Sequence, residues 1–552
     1  MGNYIQSFLT DRTARVFIDG VYSSSCSIHN GVPQGSVIAP TLFLIGLQSV
    51  FGAIPEQIET LAYADDLILL TTSPYSRLAR KKLQLAVNRL EDWAPSVGFK
   101  FAPDKSKLLH FGPNRKKLRK IPQLTLQNQT IPLVRTAKIL GVWIDDQLKF
   151  TNHINRVRKV ANNKLNILKK LSTPNGAGSR STLLLFLHGW LLPTMLHGIG
   201  LYSRGYDLTL RKLEPAYNQA IRSISGAFKS SPISSLMAES GQLPFKFILA
   251  KHISTKAIRW LSYDRCAEAP LVLRAVKLLS DIQTSIPPIS SRTEPRLLKW
   301  NSQIPKTDLT LLSKLKAGTN PSIVLPQFYH LACTKYRGIP KFYTDGSKTP
   351  DGRVGCGIYS ENINISLSLP DICSVFSSEA FAILSAAQNI CPPNSVIFSD
   401  SASVLKAIAA GNKKHPWIAE LSEIAVQKRI TLCWIPGHSQ IPGNEKADKL
   451  AAAGGRLDPP ELPVPSSDAV KWIKRQINLS WSQEWNSISN NKLREIKNST
   501  ETWTDRLPFH ERRLFTRLPI GHTRLSHEYL MDKKDPTLCV ACQVPLSIHA
   551  EK

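Results

Sequence analysis

The sequence predicts a multidomain α/β protein. Three observations carry that expectation: a length that one hydrophobic core cannot fill, changes of hydrophobic period along the chain, and proline-rich breaks where the period changes. At 552 residues and 42% hydrophobic content the chain is apolar enough for several cores, and roughly two to four domains are expected from such a length.

The period changes in order along the chain. Residues 1–150 alternate short apolar runs with helical stretches, notably Leu61 to Thr71 and the amphipathic run Ser76 to Trp93, so this part reads as mixed α/β. Residues 151–285 read as helical, because Ile154, Val157, Ala161, Leu165 and Leu168 recur at helical spacing between Arg156, Arg158, Lys159, Lys164, Lys169 and Lys170. No Asp or Glu occurs between Asp146 and Asp207, which suits either a phosphate backbone or a solvated basic face. Pro, Ser and Thr then dominate around Ile286 to Arg296, and 286–338 reads as a linker. From 339 to 456 the expected order is three strands, a helix, a strand, two helices, a strand and a helix. After a second break at Pro459 to Pro465, residues 466–552 read as a helical, basic, Trp-rich tail.

Charge and cysteine content narrow the setting. Seventy Lys and Arg against 41 Asp and Glu leave a formal charge of +29, which points to a polyanionic partner, nucleic acid first. Charge supplies affinity for phosphate without specifying chemistry. The nine cysteines are mostly isolated, as in a reducing compartment. The N-terminal residues lack a secretory pattern, so a protein that is not secreted is expected. Ser181 to Leu201 contains no charged side chain. His188, Pro193, His197 and several glycines interrupt it, and buried helices without a membrane partner are the expectation.

Four fragments in the 339–456 segment carry acids at positions suited to chemistry. Lys341-Phe342-Tyr343 runs into Thr344-Asp345-Gly346-Ser347, a carboxylate at a strand end beside a glycine that lets other groups approach. Ser377-Ser378-Glu379 reads as a ligand or, equally, as a helix cap with a glutamate in the first turn. Ser395-Val396-Ile397-Phe398 ends in Ser399-Asp400-Ser401, where Asp400 is again either a cap or a second acid at a strand end. Trp434-Ile435-Pro436-Gly437-His438 then leads to Asn444-Glu445-Lys446-Ala447-Asp448 on a helix. Several hard carboxylate oxygens converging on two cations about 4 Å apart are what two-metal phosphodiester hydrolysis needs.

In this order the fragments resemble the type 1 ribonuclease H family across roughly residues 339–456. The resemblance implies an RNase H-like fold, a mixed five-stranded sheet with helices. It also implies cleavage of the RNA strand of an RNA–DNA hybrid with two Mg²⁺ or Mn²⁺ ions. Asp345 would bridge both metals, Glu379 and Asp400 would bind one, Asp448 would complete the second, and His438 would assist proton transfer or product release.

A second set lies near the start. Gly31-Val32-Pro33-Gln34-Gly35-Ser36 is a rigid turn before an apolar helix, and Leu61-Ala62-Tyr63-Ala64-Asp65-Asp66-Leu67 sets two acids between apolar runs. Buried flanks would hold those acids at a protected tip, whereas a plain acidic turn is the bland reading. With Lys105 and Leu140-Gly141-Val142, these segments resemble the later palm motifs of reverse transcriptases from non-LTR, jockey-like retrotransposons. That resemblance implies a partial polymerase palm over 1–150 and a helical thumb over 151–285, in an intracellular protein of the cytoplasm, the nucleus or both. Asp65 and Asp66 would hold polymerase metals, Gln34 and Gly35 would contact template and nucleotide, and Lys105 would lie near the triphosphate. The family carries a further Asp upstream of the Gly-Val-Pro-Gln-Gly turn; Asp11 and Asp19 lack its context, so no polymerase activity is expected of this chain by itself.

Cys539, Cys542 and His549 have the spacing of three ligands of a Cys-Cys-His-Cys zinc knuckle. The fourth is lacking, so Zn²⁺ binding is expected to be weak. A hybrid-cutting nuclease is the leading expectation. A residual RNA-directed DNA polymerase and a non-catalytic nucleic-acid-binding remnant are the alternatives.

Overall fold

The computed structural model describes residues 2–112, 123–173, 178–202, 206–265, 267–292, 304–314, 320–412, 414–489, 491–502, 509–521, 535–536, 538–540 and 543–545. The chain forms two compact units, residues 1–153 and 154–552.

In the first unit, helix Ser76–Ser96 buries Ala86, Val87, Leu90 and Ala94, the inward stripe of the amphipathic run. Ala86 and Leu90 pack with Val50, Ile54 and Ile58, and Val87 packs with Leu124, Leu126 and Ile131. Strands Glu59–Tyr63 and Asp66–Leu70 form an antiparallel hairpin with Tyr63 opposite Asp66.

In the second unit, helix Thr151–Leu171 buries Ile154, Val157, Ala161, Leu165 and Leu168, as its spacing predicts. Its cations do not all face water. The Lys164 ammonium donates to the Trp190 carbonyl at 3.1 Å and lies 4.6 Å from the centre of the Trp190 ring. The uncharged Ser181–Leu201 stretch is broken into helices Arg180–Phe186, Leu192–Leu196 and Ile199–Tyr202, with a π turn at Leu187–Leu191. Leu183, Leu187, Leu191, Met195 and Ile199 are fully buried. Among the described residues no helix is long and apolar enough to cross a membrane.

The remaining core is a mixed sheet flanked by helices. Its elements are β1 (Thr307–Asp308), α1 (Pro321–Thr334), β2 (Lys341–Lys348), β3 (Val354–Ser360), β4 (Ile363–Leu369), α2 (Val375–Ser385), β5 (Val396–Ser399), α3 (Ala402–Ala409), α4 (Pro416–Gln427), β6 (Thr431–Trp434), α5 (Pro442–Gly454) and α6 (Ser466–Ser487). From β2 to α5 the order is the expected one. The strands lie β1-β6-β5-β2-β3-β4, with β2 antiparallel to β3 and parallel to β5.

The sheet has six strands where five were expected, and the stretch expected as a linker, 286–338, supplies both β1 and α1. The two-residue strand β1 pairs in parallel with β6, and the buried Asp308 fixes it by accepting from Lys335 at 2.7 Å, Tyr336 at 2.5 Å and Thr310 at 2.6 Å. Burial alone would raise this carboxyl's pKa, but those hydrogen bonds outweigh burial and hold it well below the usual range. Phe328 of α1 and Tyr336 meet Phe398 edge-on at 5.5 and 5.8 Å, which explains why proline-rich composition did not leave this stretch loose.

The second break is also tied down. Val464 is 1% exposed and exchanges backbone hydrogen bonds with Pro288 and Ser290. Helix α6 buries Ile473, Ile477, Trp481 and Trp485, and Trp481 packs 6.0 Å from Phe247 of helix Phe245–Leu261. The expected helical tail thus begins as a packed helix of this unit.

Candidate active site

Strand register brings the first two acids together. Asp345 lies within β2 opposite Gly357 and not at a strand end as expected, because β3 pairs with β2 as far as Lys348. Thr344 on β2 is nevertheless paired with Ser399, the last residue of the parallel neighbour β5, so Asp345 stands beside Asp400. Ligands gather at the carboxyl ends of parallel strands for this reason.

Two helices bring the other acids, and two glycines let them close. A Cβ on Gly346 would collide with the backbone nitrogen of Glu379, and one on Gly357 with the carbonyl of Ala447. At these positions α2 and α5 lie directly on the backbones of β2 and β3, which only glycine permits. Glu379 and Asp448 are thereby carried to the same cavity as Asp345 and Asp400. Asn444 and Asp448 share a face of α5, four residues apart.

The four acids and His438 line one cavity of about 370 Å³, together with Lys348, Asn444 and Glu445. Its acids are partly buried and crowd one another. Burial first, then the charges of Asp400 and Asp448, pushes Asp345 up to about 8 against a hydrogen bond from Gly346. Burial and the charge of Asp400 push Glu379 up to about 7, although the Ser401 hydroxyl opposes this. Asp400 is raised by burial, with Asn444 and His438 pulling it down. Among the described residues no group of three His, Cys, Asp or Glu side chains is preassembled as a metal cage. The acids line a common wall instead.

The capping readings of Glu379 and Asp400 are excluded. Helix α2 starts at Val375, and its cap is Ser374, whose hydroxyl accepts from the Ser377 amide. Glu379 stands beyond the first turn, not within it as expected from the two serines. Helix α3 is capped by Ser401, which accepts from the Val404 amide, leaving the Asp400 carboxylate to accept from Asn444 Nδ2 at 3.2 Å. Neither acid caps its helix.

Motif reading named Asn444 and Ser401 within their fragments but gave neither a role. Ser401 donates to Glu379 Oε2, and Trp434 Nε1 donates to the Asp400 carbonyl at 3.0 Å. The sequence signal for Asn444 was its place in that fragment, four residues before Asp448. His438 is exposed at the lip, with a left-handed φ of +50°.

The polymerase candidates belong to the first unit. Asp65 and Asp66 are exposed at the hairpin turn, which corrects the expectation of a protected tip: a two-stranded ribbon leaves its end open to water. Gln34 and Gly35 are exposed in a turn before helix Ala39–Leu47, and Lys105 is exposed in a later turn. Cys539 is half-buried; Cys542 and His549 lie outside the described residues.

A mixed sheet with acids converging from β2, β5, α2 and α5 defines a ribonuclease H domain, and residues 340–456 match the RNase H family. Residues 1–169 match the reverse transcriptase (RNA-dependent DNA polymerase) family. The chain is similar to non-LTR retrotransposon proteins and carries one segment that matches the reverse transcriptase family and one that matches the RNase H family. It is 28% identical over 229 residues to the RNA-directed DNA polymerase from mobile element jockey of Drosophila melanogaster, covering 40% of this chain and 25% of that one. It is 24% identical over 193 residues to a putative 115 kDa protein in type-1 retrotransposable element R1DM of the same organism, covering 35% and 18%. Ribonuclease H1 of Mus musculus is 31% identical over 142 residues, covering 21% of this chain and 49% of that protein. The chain therefore spans about a quarter or less of the length of these retrotransposon relatives. Domains of both families depend on divalent metal ions and act on nucleic acid.

Proposed function

We propose that the chain is an endoribonuclease that cuts the RNA strand of RNA–DNA hybrids at the cavity formed by Asp345, Glu379, Asp400 and Asp448. The carrying observation is the convergence of four acids from four separate elements on one cavity. The donor set fits Mg²⁺ or Mn²⁺: it is all hard oxygen, and burial and mutual repulsion have raised Asp345 to about 8 and Glu379 to about 7, a cost that cations relieve.

When bound, two such ions supply an activated water and a stabilised leaving oxygen. Asp345, with Asp400 and Asp448 beside it, would contribute to holding both. Glu379 and Asp400 would hold one side and Asp448 the other. Ser401 and Asn444 orient Glu379 and Asp400, and His438 at the lip is placed to move a proton or help product leave. The basic surface of the chain supplies sequence-independent grip on phosphates.

The test is cleavage of an end-labelled RNA–DNA hybrid with Mg²⁺ by the full chain and by Asp345→Asn, with DNA duplex and RNA duplex as controls. Cleavage of hybrid RNA that the variant loses is expected. Hybrid bound but uncut by both proteins would overturn the assignment in favour of a binding remnant.

A further inference from the structure

Helix α6 lies outside the 340–456 segment, yet its first turn reaches the helix that carries Glu379. Asp468 is 2% exposed. Its Oδ2 accepts from the backbone N–H of Ser374 at 3.0 Å, and its Oδ1 accepts from the Ser374 hydroxyl at 2.9 Å. Ser374 is the N-cap of α2, five residues before Glu379. The carboxylate thus pairs with the unsatisfied donor end and positive dipole end of that helix, where a buried negative charge is stabilised.

The other side of the same helix start is held from β2. Lys348, three residues after Asp345, donates to the carbonyls of Asp371 and Cys373 at 2.8 Å each. Lys348 is internal to the RNase H segment; Asp468 is not. Helix α6 is in turn fixed to helix Phe245–Leu261 by the Trp481–Phe247 contact at 6.0 Å and the Lys246–Glu484 ion pair at 2.6 Å. Its start is fixed by Arg292, which donates to Ser466 at 2.7 Å. A continuous path runs from the helical layer through α6 and Ser374 to Glu379.

We infer that Asp468 is a positioning residue for the nuclease: it sets the position of Glu379 through Ser374 and ties that acid to the helical layer outside the RNase H segment. This rests on the nuclease reading of the cavity. A helix start held to a fraction of an ångström places Glu379 for its cation, and partners of this kind typically change metal affinity on the order of tenfold or more when lost.

The experiment uses the full chain and the variants Asp468→Asn, Ser374→Ala and Ser374→Thr. Asparagine keeps the shape but removes the negative charge from the helix start and leaves one acceptor where the carboxylate has two; alanine at 374 removes only the hydroxyl and leaves Asp468 bonded to the backbone. Calorimetric Mg²⁺ binding without nucleic acid, hydrogen exchange of the 374–380 amides, and hybrid cleavage across Mg²⁺ concentration are measured together. For Asp468→Asn we expect Mg²⁺ binding weaker by about tenfold and 374–380 exchange faster by about fivefold to tenfold with sheet amides unchanged. Its kcat should be lowered at limiting Mg²⁺ and recovered at high Mg²⁺, with hybrid KM unchanged. Ser374→Ala should show a smaller shift of the same kind, and Ser374→Thr should match wild type. Wild-type Mg²⁺ binding and exchange in both Asp468→Asn and Ser374→Ala would overturn the inference. If the wild-type chain binds hybrid without cutting it, the nuclease reading fails, while metal binding and exchange still decide the role of Asp468.

Discussion

The Ser401 hydroxyl donates to Glu379 and accepts from the Val404 amide, so one side chain both caps α3 and orients an acid carried by α2. Ser401→Ala removes both functions. We expect a stability loss of about 1 kcal/mol from the lost cap, read as a lower urea midpoint, together with slower hybrid cleavage. Ser401→Thr keeps the oxygen and should retain most of both. Full activity in the alanine variant would show that Glu379 does not depend on this hydroxyl.

Gly357 faces the Ala447 carbonyl of α5 with no room for a methyl group. Backbone, unlike a side-chain tip, has little freedom to give way. Gly357→Ala should therefore push α5 off β3, at a cost of about 1–3 kcal/mol, and should carry Asp448 away from Asp345. A displacement near 1 Å at such a site costs on the order of 100-fold in rate. Cleavage that survives within a factor of about two, alongside an unchanged unfolding midpoint, would contradict this packing.

What the sequence made legible is what local pattern encodes. Asp400 was readable because an apolar run ends just before it and a strand end is a local event; Asp345 was read in the same way, but its strand continues to Lys348 through pairing with β3, a partner that the local pattern does not show. The helical stripe Ile154 to Leu168 was readable from its period. Less was readable where the partner is distant or the element is short. Strand β1 has two residues and no alternation to detect; it exists because Asp308 finds Lys335 and Tyr336. The serines beside Glu379 looked like caps, but Ser374 holds that role because of where the strand-to-helix turn falls. Asp468 and Ser374 are 94 residues apart, and nothing in the local pattern around Ser466 to Val470 marks it as more than a first-turn acid.

His415 gives a pH dependence whose sign follows from burial. Packed edge-on against Phe376 and Trp417 and bonded to Ser377 at 3.0 Å, it is pushed down to about 4 by burial, with Asp468 raising it and Arg292 and Lys471 lowering it. Its folded pKa lies below the unfolded value near 6.5, so between about pH 6.5 and 4 the unfolded chain binds the extra proton. Its contribution to stability is complete above that window and falls by roughly 1 kcal/mol per pH unit within it. The acids of the cavity titrate with the opposite sign, so the measurement is a difference: thermal midpoints of wild type and His415→Gln from pH 7.5 to 4.5. The gap between the two proteins should shift against wild type as pH falls. Parallel curves would show that His415 titrates as it does in the unfolded chain.

His438 separates chemistry from stability more cleanly than any of the acids. It is exposed, it lines the cavity and it sits on the loop between β6 and α5. Removing its ring exposes no core and leaves no buried group unpaired, so His438→Ala should change stability by less than about 1 kcal/mol. A group that moves a proton or helps product leave is worth far more than that in rate, typically about 100-fold or greater for general acid–base work. The expected result is unchanged hybrid binding, an unchanged unfolding midpoint and a kcat reduced at least tenfold. Comparing single-turnover with multiple-turnover cleavage then divides its two possible tasks. Loss in both regimes places the histidine in the chemical step, and loss confined to multiple turnover places it in product release. Wild-type rates in both would remove His438 from the mechanism and leave the four carboxylates to account for catalysis.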